Sequence, residues 1–166
     1  MRPISALQAA SLFAVFGSVL AAFIPTFFKN LSASKLSEPI EGLDRIVTHA
    51  VAYADVAGRP NEFAFPPGAP LTPAQVPRGV SVIDPPEAWE HLTWRSLDFG
   101  FDRPHAFSFQ FDSGYDATTG LMRFVATAHG DLDGDGVLST FEVQGVHLPG
   151  QPARVLPGMY IDREVE

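Results

Sequence analysis

The sequence predicts an α+β fold, with a long N-terminal hydrophobic helix, its amphipathic continuation and a small antiparallel β-sheet. Three observations carry this. Residues 4–28, ISALQAASLFAVFGSVLAAFIPTFF, hold no charged side chain. Residues 30–57 repeat apolar side chains at three- and four-residue steps, the helical period. Between residues 105 and 147, short stretches alternate apolar and polar side chains, the strand period. The chain divides accordingly. Residues 1–29 form an apolar helix, 30–57 its amphipathic continuation, 58–86 a proline-rich loop, and 87–166 an antiparallel β domain with an acidic loop.

The apolar stretch lies between Arg2 and Lys29. At ~1.5 Å per residue it makes a helix about 38 Å long, which covers the ~30 Å hydrocarbon core of a bilayer. A cleaved signal peptide has a shorter apolar run, ~7–15 residues, and small residues at its cleavage site. Here Pro25-Thr26-Phe27-Phe28 stands in that place. Two other readings are a plain single-pass anchor and an anchor that later becomes the core of a fibre. Ala6, Ala10, Ala14, Gly17, Ser18 and Ala21 would let neighbouring helix backbones approach closely in lipid. Pro25 removes one backbone hydrogen bond and clashes with the carbonyl near Ala21, so a kink is expected there.

Gly17 in mid-helix and Pro25 eight residues on give this stretch its identity. The segment resembles the N-terminal helix of type IV pilins and type II secretion pseudopilins. Ile4 stands where a mature pilin chain would begin, and Ser5 where a small polar residue is common. Gln8 stands where the family usually carries a glutamate, which pairs with a neighbouring subunit's terminal amine during assembly. Glutamine can hydrogen-bond but cannot form that ion pair. The resemblance implies an assembly role for Gln8, Gly17 and Pro25. It also implies homo- or hetero-oligomeric partners joined through the N-terminal helix, and a long helix laid on a β-sheet. The implied location is the inner membrane before assembly and a periplasmic or extracellular filament afterwards.

Composition narrows the partners. The 166-residue chain has a net charge of −8 and 18% charged residues. A strongly acidic surface argues against nucleic acid, whose phosphates need a positive one. No cysteine is present, which excludes disulfides, thiolate metal sites and a cysteine nucleophile.

Taken in order, Leu36, Ile40, Leu43, Ile46 or Val47, Ala50 and Ala54 form an apolar stripe that would pack on a sheet. Pro39 interrupts, and Ser37 is placed to cap a fresh helical start. His49 on this helix reads as a solvated or core-edge residue. Eight prolines between Pro60 and Pro86 exclude a long helix or a central strand. Phe63, Phe65, Leu71, Val80, Val82 and Ile83 are expected to pin this connector to the domain. Trp89, Leu92 and Leu97 suit a short helix, with Trp94 and Phe99 as core anchors. A carbohydrate-stacking platform is the alternative for the tryptophans.

The strands follow. Phe107, Phe109 and Phe111 share one face of the stretch 105–112. Residues 113–120 read as a polar turn. Met122, Phe124, Ala126 and Ala128 share one face of 121–129, and Phe141 and Val143 point inward from 138–147. The terminal MYIDREVE could add an edge strand. Strands joined in sequence order form a meander.

One motif carries chemistry. Asp131, Asp133, Asp135, Gly136 and Glu142 match D-x-[DN]-x-[DN]-G-x5-E, the calcium loop of the EF-hand. Calcium takes six to eight hard oxygens, and carboxylates at alternate positions of a curled loop converge on one centre. Val137 would offer its carbonyl, and Ser139 a hydroxyl or a water. A strand, FVATAHG, leads into the motif, so a strand-loop-strand site for one Ca2+ is expected. Calcium loops of pseudopilins also lie between strands, as the resemblance implies. Glu142 has two readings. If Ser139 begins a strand, Glu142 lies ~10 Å further on and faces away. If Ser139 caps a helical turn, Glu142 folds back to the ion. No G-x-S-x-G, HExxH or phosphate loop occurs, and an enzyme is not expected. Two functions follow: a pilin-like structural subunit, or a single-pass, membrane-anchored, calcium-dependent binding module.

Overall fold

The computed structural model describes residues 36–56 and 63–164. Gln8, Gly17, Pro25 and the rest of the apolar stretch lie outside the described residues. No helix among the described residues is long and apolar enough to cross a membrane.

The described part is one α+β unit. Helix α1, Ser37–Ala54, buries Pro39, Gly42, Leu43, Ile46, Val47, Ala50 and Ala54. Ile40 was expected in this stripe, but it lies one position round the helix from Pro39 and is 45% exposed. Gly42 takes the place nearest the sheet. A Cβ there would lie 2.5 Å from the Phe109 ring, so only glycine admits this approach. Ser37 was expected as the cap but is the first helical residue. Leu36 holds the capping position, with no side-chain cap. Pro39 then falls in the first turn, where its missing N–H has no intrahelical partner to lose.

Six strands make one wholly antiparallel sheet: β1 Ala69–Thr72, β2 Phe107–Asp116, β3 Leu121–Gly130, β4 Ser139–His147, β5 Arg154–Val155 and β6 Tyr160–Asp162. The order is β1-β2-β3-β4-β5, and β6 also pairs with β4. β5 takes Gly145 and Val146, while β6 takes Thr140, Phe141 and Glu142, so the two short strands share the outer edge of β4. Helix α1 packs against β3 and β4. Phe107, Phe109, Phe111, Phe124 and Phe141 are fully buried, as the alternation predicts. Each such ring contributes ~1.5–3 kcal/mol of burial. Phe111 and Phe124 stack across the strands at 5.3 Å.

The turn after β2 is shorter than expected. Residues 113–116 continue the strand and pair with 121–124. Asp116 closes the turn, its carboxylate accepting from the Thr118 N–H at 2.9 Å and the Thr119 hydroxyl at 2.8 Å. Those bonds, the Thr119 hydroxyl first, hold its carboxyl below the usual range.

The proline-rich connector is pinned by fewer apolar side chains than expected, with Leu71 and Val82 half-buried. Phe65 is buried, but Phe63, Val80 and Ile83 are 59%, 58% and 67% exposed. Hydroxyls elsewhere in the domain hold the proline carbonyls instead. Ser113 Oγ donates to Pro66 O at 2.7 Å, and Thr93 Oγ1 donates to Pro67 O at 2.6 Å. Thr72 Oγ1 donates to Pro70 O, and Trp94 Nε1 donates to that same hydroxyl at 2.9 Å. Proline lacks an N–H but keeps its carbonyl, and a buried carbonyl needs a donor. Part of the connector thereby becomes β1, an edge strand whose register is irregular between Ala69 and Thr72, a setting that tolerates Pro70.

A 3₁₀ turn, Pro86–Trp89, and a short helix α2, Leu92–Ser96, follow. Thr93 and Trp94 face inward, Phe99 is buried as expected of a core anchor, and Leu92 is 65% exposed. Trp89, Trp94, Phe99 and Phe109 join in a chain of ring contacts at 5.1–5.8 Å.

Candidate metal centre

The acidic motif is the connection between β3 and β4. Gly130 pairs with Ser139, so residues 131–138 form the loop that closes this hairpin. Asp131 is its hub and is only 1% exposed. Its Oδ1 accepts from the Gly134 N–H at 2.8 Å, and its Oδ2 accepts from the Gly136 N–H at 3.1 Å. Asp133 accepts from the Asp135 N–H, and Asp135 from the Val137 N–H at 2.7 Å. Each aspartate thus folds the backbone just ahead of it, the local bonding that suits Asp to turns. Gly134 and Gly136 have φ of +83° and +92°, which side-chain-bearing residues rarely adopt.

This curling brings the three carboxylates together, with one oxygen of each within 4.8 Å of the others. At such a distance each pair of charges repels by about 1–4 kcal/mol, depending on local screening. Arg78 supplies a weak counter-charge. Its Nε lies 3.9 Å from Asp131 Oδ2, with a side chain 74% exposed. Gly79 donates its N–H to the Asp131 carbonyl at 2.8 Å. The loop therefore rests on the connector, a contact that no local pattern in the sequence announces.

The remaining residues of the motif do not converge. Ser139 begins β4, and its hydroxyl donates to the Gly130 carbonyl at 3.1 Å in a buried position. Glu142 lies three residues into β4, opposite Thr127 and Tyr160. It alternates with the buried Phe141 and Val143, so it faces the other side of the sheet, where Gln144 Nε2 donates to its Oε1. This is the first of its two readings, and it turns Glu142 away from the three aspartates. Val137 lies two residues after Asp135 and is half-buried.

No family model matches this chain, and neither does any curated protein or solved structure. The chemistry of the centre therefore rests on its own donors. They are hard carboxylate oxygens with no imidazole among them, a set suited to a hard cation such as calcium, magnesium or manganese rather than to zinc or copper.

The other residues singled out in the sequence have structural places. Trp89 and Trp94 are 7% and 0% exposed, so neither offers a face for a sugar ring. His49 Nδ1 meets the Leu97 carbonyl and ties α1 to the end of α2. His129 Nδ1 lies 2.9 Å from Thr140 Oγ1, and burial pushes its imidazole below the usual range. His147 pairs with Met122 at the other end of β3.

Proposed function

We propose that the chain is a pilin-like structural subunit of a filament outside the cytoplasm, and that its β3–β4 loop holds one calcium ion. The observation that carries the first part is α1. It is an amphipathic helix, it follows the apolar stretch 4–28 in sequence, and it lays its buried stripe across an antiparallel meander. In this reading residues 4–28 anchor the chain in the inner membrane and then pack with other subunits through Gly17 and the kink at Pro25. Gln8 in place of glutamate makes it a minor or initiating subunit, or a member of a fibre assembled without that ion pair. The test is imaging of sheared surface material with an antibody against this chain. Labelled fibres support the reading. A chain found only as a membrane-bound monomer sinks it, and leaves the anchored calcium-dependent module.

In the second part, Asp131, Asp133 and Asp135 supply carboxylate oxygens and Val137 a carbonyl, with water completing the shell. The ion's role is to cancel the repulsion among three clustered carboxylates and to fix the β3–β4 connection. Calorimetric titration of the metal-free chain with calcium tests this. Heat that disappears in Asp133→Ala supports the site, and no heat in the native chain removes it.

A further inference from the structure

Helix α1, the connector, α2 and residues 98–102 border a cleft of about 630 Å³. Its floor is aromatic: Trp89, Trp94, Phe99 and Phe101 are joined by ring contacts. Ile83 and Pro86 form an apolar lip, and Ile83 is 67% exposed. Two features of this wall do not serve stability. The Trp89 indole N–H is buried and has no acceptor among the described residues, a costly state for a donor. Asp98 has a φ of +46°, a left-handed conformation that residues with a side chain rarely adopt. Such outliers persist only where the surrounding fold imposes them, and they gather at binding sites.

The rim carries charge of both signs. Arg45 of α1 and Arg95 of α2 supply guanidinium groups, and Asp98 and Asp102 supply carboxylates. Among the described residues none of these four has an ion-pair partner within 4.0 Å. Arg45 stands over the Phe99 ring, 5.2 Å from its centroid, and its Nη2 lies 3.4 Å from the Asp98 carbonyl oxygen. It therefore reaches the backbone of Asp98 but not its carboxylate. Asp84, also at the cleft, is already engaged, with its Oδ2 3.0 Å from His105 Nε2. His105 stands just before β2, where Glu38 of α1 accepts from the Ala106 and Phe107 N–H groups at 2.9 Å each. This side of the cleft is thus tied to three elements and gives a ligand a fixed wall.

We propose that the cleft binds a free α-amino acid with an apolar side chain. Its carboxylate meets Arg45 and Arg95, its ammonium meets Asp98 and Asp102, and its side chain lies against the aromatic wall beside Ile83. Arg45 next to Asp98 sets a cation beside an anion that does not neutralise it. An α-amino acid carries the matching pair on a single carbon. A lone anion would meet repulsion from Asp98 and Asp102, and a lone cation from Arg45 and Arg95, so a zwitterion is selected over either. Arginine suits the carboxylate end, because its planar fork can give two parallel hydrogen bonds. The interior of a polypeptide carries neither charge and would leave the rim unused. This inference does not rest on the filament or calcium readings.

The chain has two tryptophans and both line the cleft, so their indole N–H signals report what binds there. The experiment follows those signals in the full chain, nitrogen-15 labelled and in detergent at neutral pH, as L-phenylalanine or L-leucine is added. Four further probes each lack a feature. Hydrocinnamate lacks the ammonium, phenethylamine the carboxylate, and glycine the side chain. N-acetylphenylalanine amide lacks both charges, as a residue inside a polypeptide does. The expected result is a saturable shift of the indole signals with millimolar phenylalanine or leucine, and binding at least about tenfold weaker for each of the four. Arg45→Gln should cut the advantage of phenylalanine over phenethylamine, and Asp98→Asn its advantage over hydrocinnamate. Asparagine tolerates the left-handed conformation at that position. No saturable shift with either amino acid overturns the proposal. So does equal binding of any of the four, and for N-acetylphenylalanine amide it would make the cleft a dock for polypeptide. The native chain alone decides these points, even where a variant folds poorly.

Discussion

In the β3–β4 loop, Asp131 is buried yet finds its donors three and five residues along the chain. At the head of β2, Asp84 and Glu38 find theirs 21 and 68 residues away. Both regions keep carboxylates from water, by opposite means. The loop satisfies its hub with its own backbone N–H groups and leaves Asp133 and Asp135 at the surface. The β2 cluster satisfies its carboxylates by joining α1, the connector and the sheet. The difference separates what each contributes. A locally satisfied loop can loosen without disturbing the core, whereas the cluster cannot lose a member without separating elements that are distant in sequence.

The largest expected effect is at the cluster. His105→Ala leaves Asp84 without its partner and empties a space lined by Trp89 and Phe101. Breaking a buried pair in this way costs about 3–5 kcal/mol. Urea denaturation of the full chain in detergent measures it, and a loss below about 1 kcal/mol would mean that Asp84 reaches water. Asp131→Ala should come next. It strips the acceptor from the Gly134 and Gly136 N–H groups in a part-buried loop, at about 1–3 kcal/mol. Asp131→Asn keeps acceptor oxygen there and should cost less. If the two variants lose equally, charge rather than hydrogen bonding at the hub decides its stability.

Asp133→Ala turns the comparison on the ion. Asp133 is exposed and bonds only to the Asp135 N–H among the described residues, so without calcium the change should fall within about 0.5 kcal/mol. A cation bound only by the folded state adds RT ln(1 + [L]/Kd), about 2.7 kcal/mol at a hundredfold excess over Kd. Chelator should therefore lower the melting temperature of the native chain and leave that of Asp133→Ala almost unmoved. Equal responses would make the loop an acidic turn with no resident ion.

The same contrast explains what was legible in the sequence. The Phe107-Phe109-Phe111 and Phe124-Ala126-Ala128 alternations read directly as strands, because one buried face imposes a period of two. The three aspartates and Gly136 read directly as a curled loop, because their partners lie within five residues. Glu142 carried the right spacing for a helical context, but Ser139 begins a strand, and the strand turns Glu142 to the other face of the sheet. Ile40 fitted a helical stripe whose centre is fixed by the approach of Gly42 to Phe109, a contact that spacing does not reveal. The connector was least legible. Its order comes from Thr93, Ser113 and Trp94, polar groups far along the chain that reach proline carbonyls or Thr72. His105 gave no signal of its role, since both partners of its ring are set by the tertiary fold.

The smallest expected effect concerns Glu38 and pH. Burial raises its carboxyl above the usual 4.5, against the pull of the Ala106 and Phe107 N–H groups and of His105 and Arg103. An acid whose folded value is raised binds its proton more tightly in the native state. Between 4.5 and that raised value the folded chain holds more protons than the unfolded one, so the stability contributed by Glu38 increases as pH falls through the window. Glu38→Gln has no such dependence, and its carbonyl can still accept from one of the two N–H groups. The stability difference between the native chain and Glu38→Gln, measured by urea denaturation, should therefore grow in the native chain's favour on going from neutral pH toward 4.5. Other carboxylates titrate in both proteins and cancel in the difference. A difference that shrinks instead would mean that the two N–H bonds outweigh burial. Glu38 would then be an anion anchored at the head of β2, held by backbone donors as Asp131 is in its loop, but by donors 68 and 69 residues away.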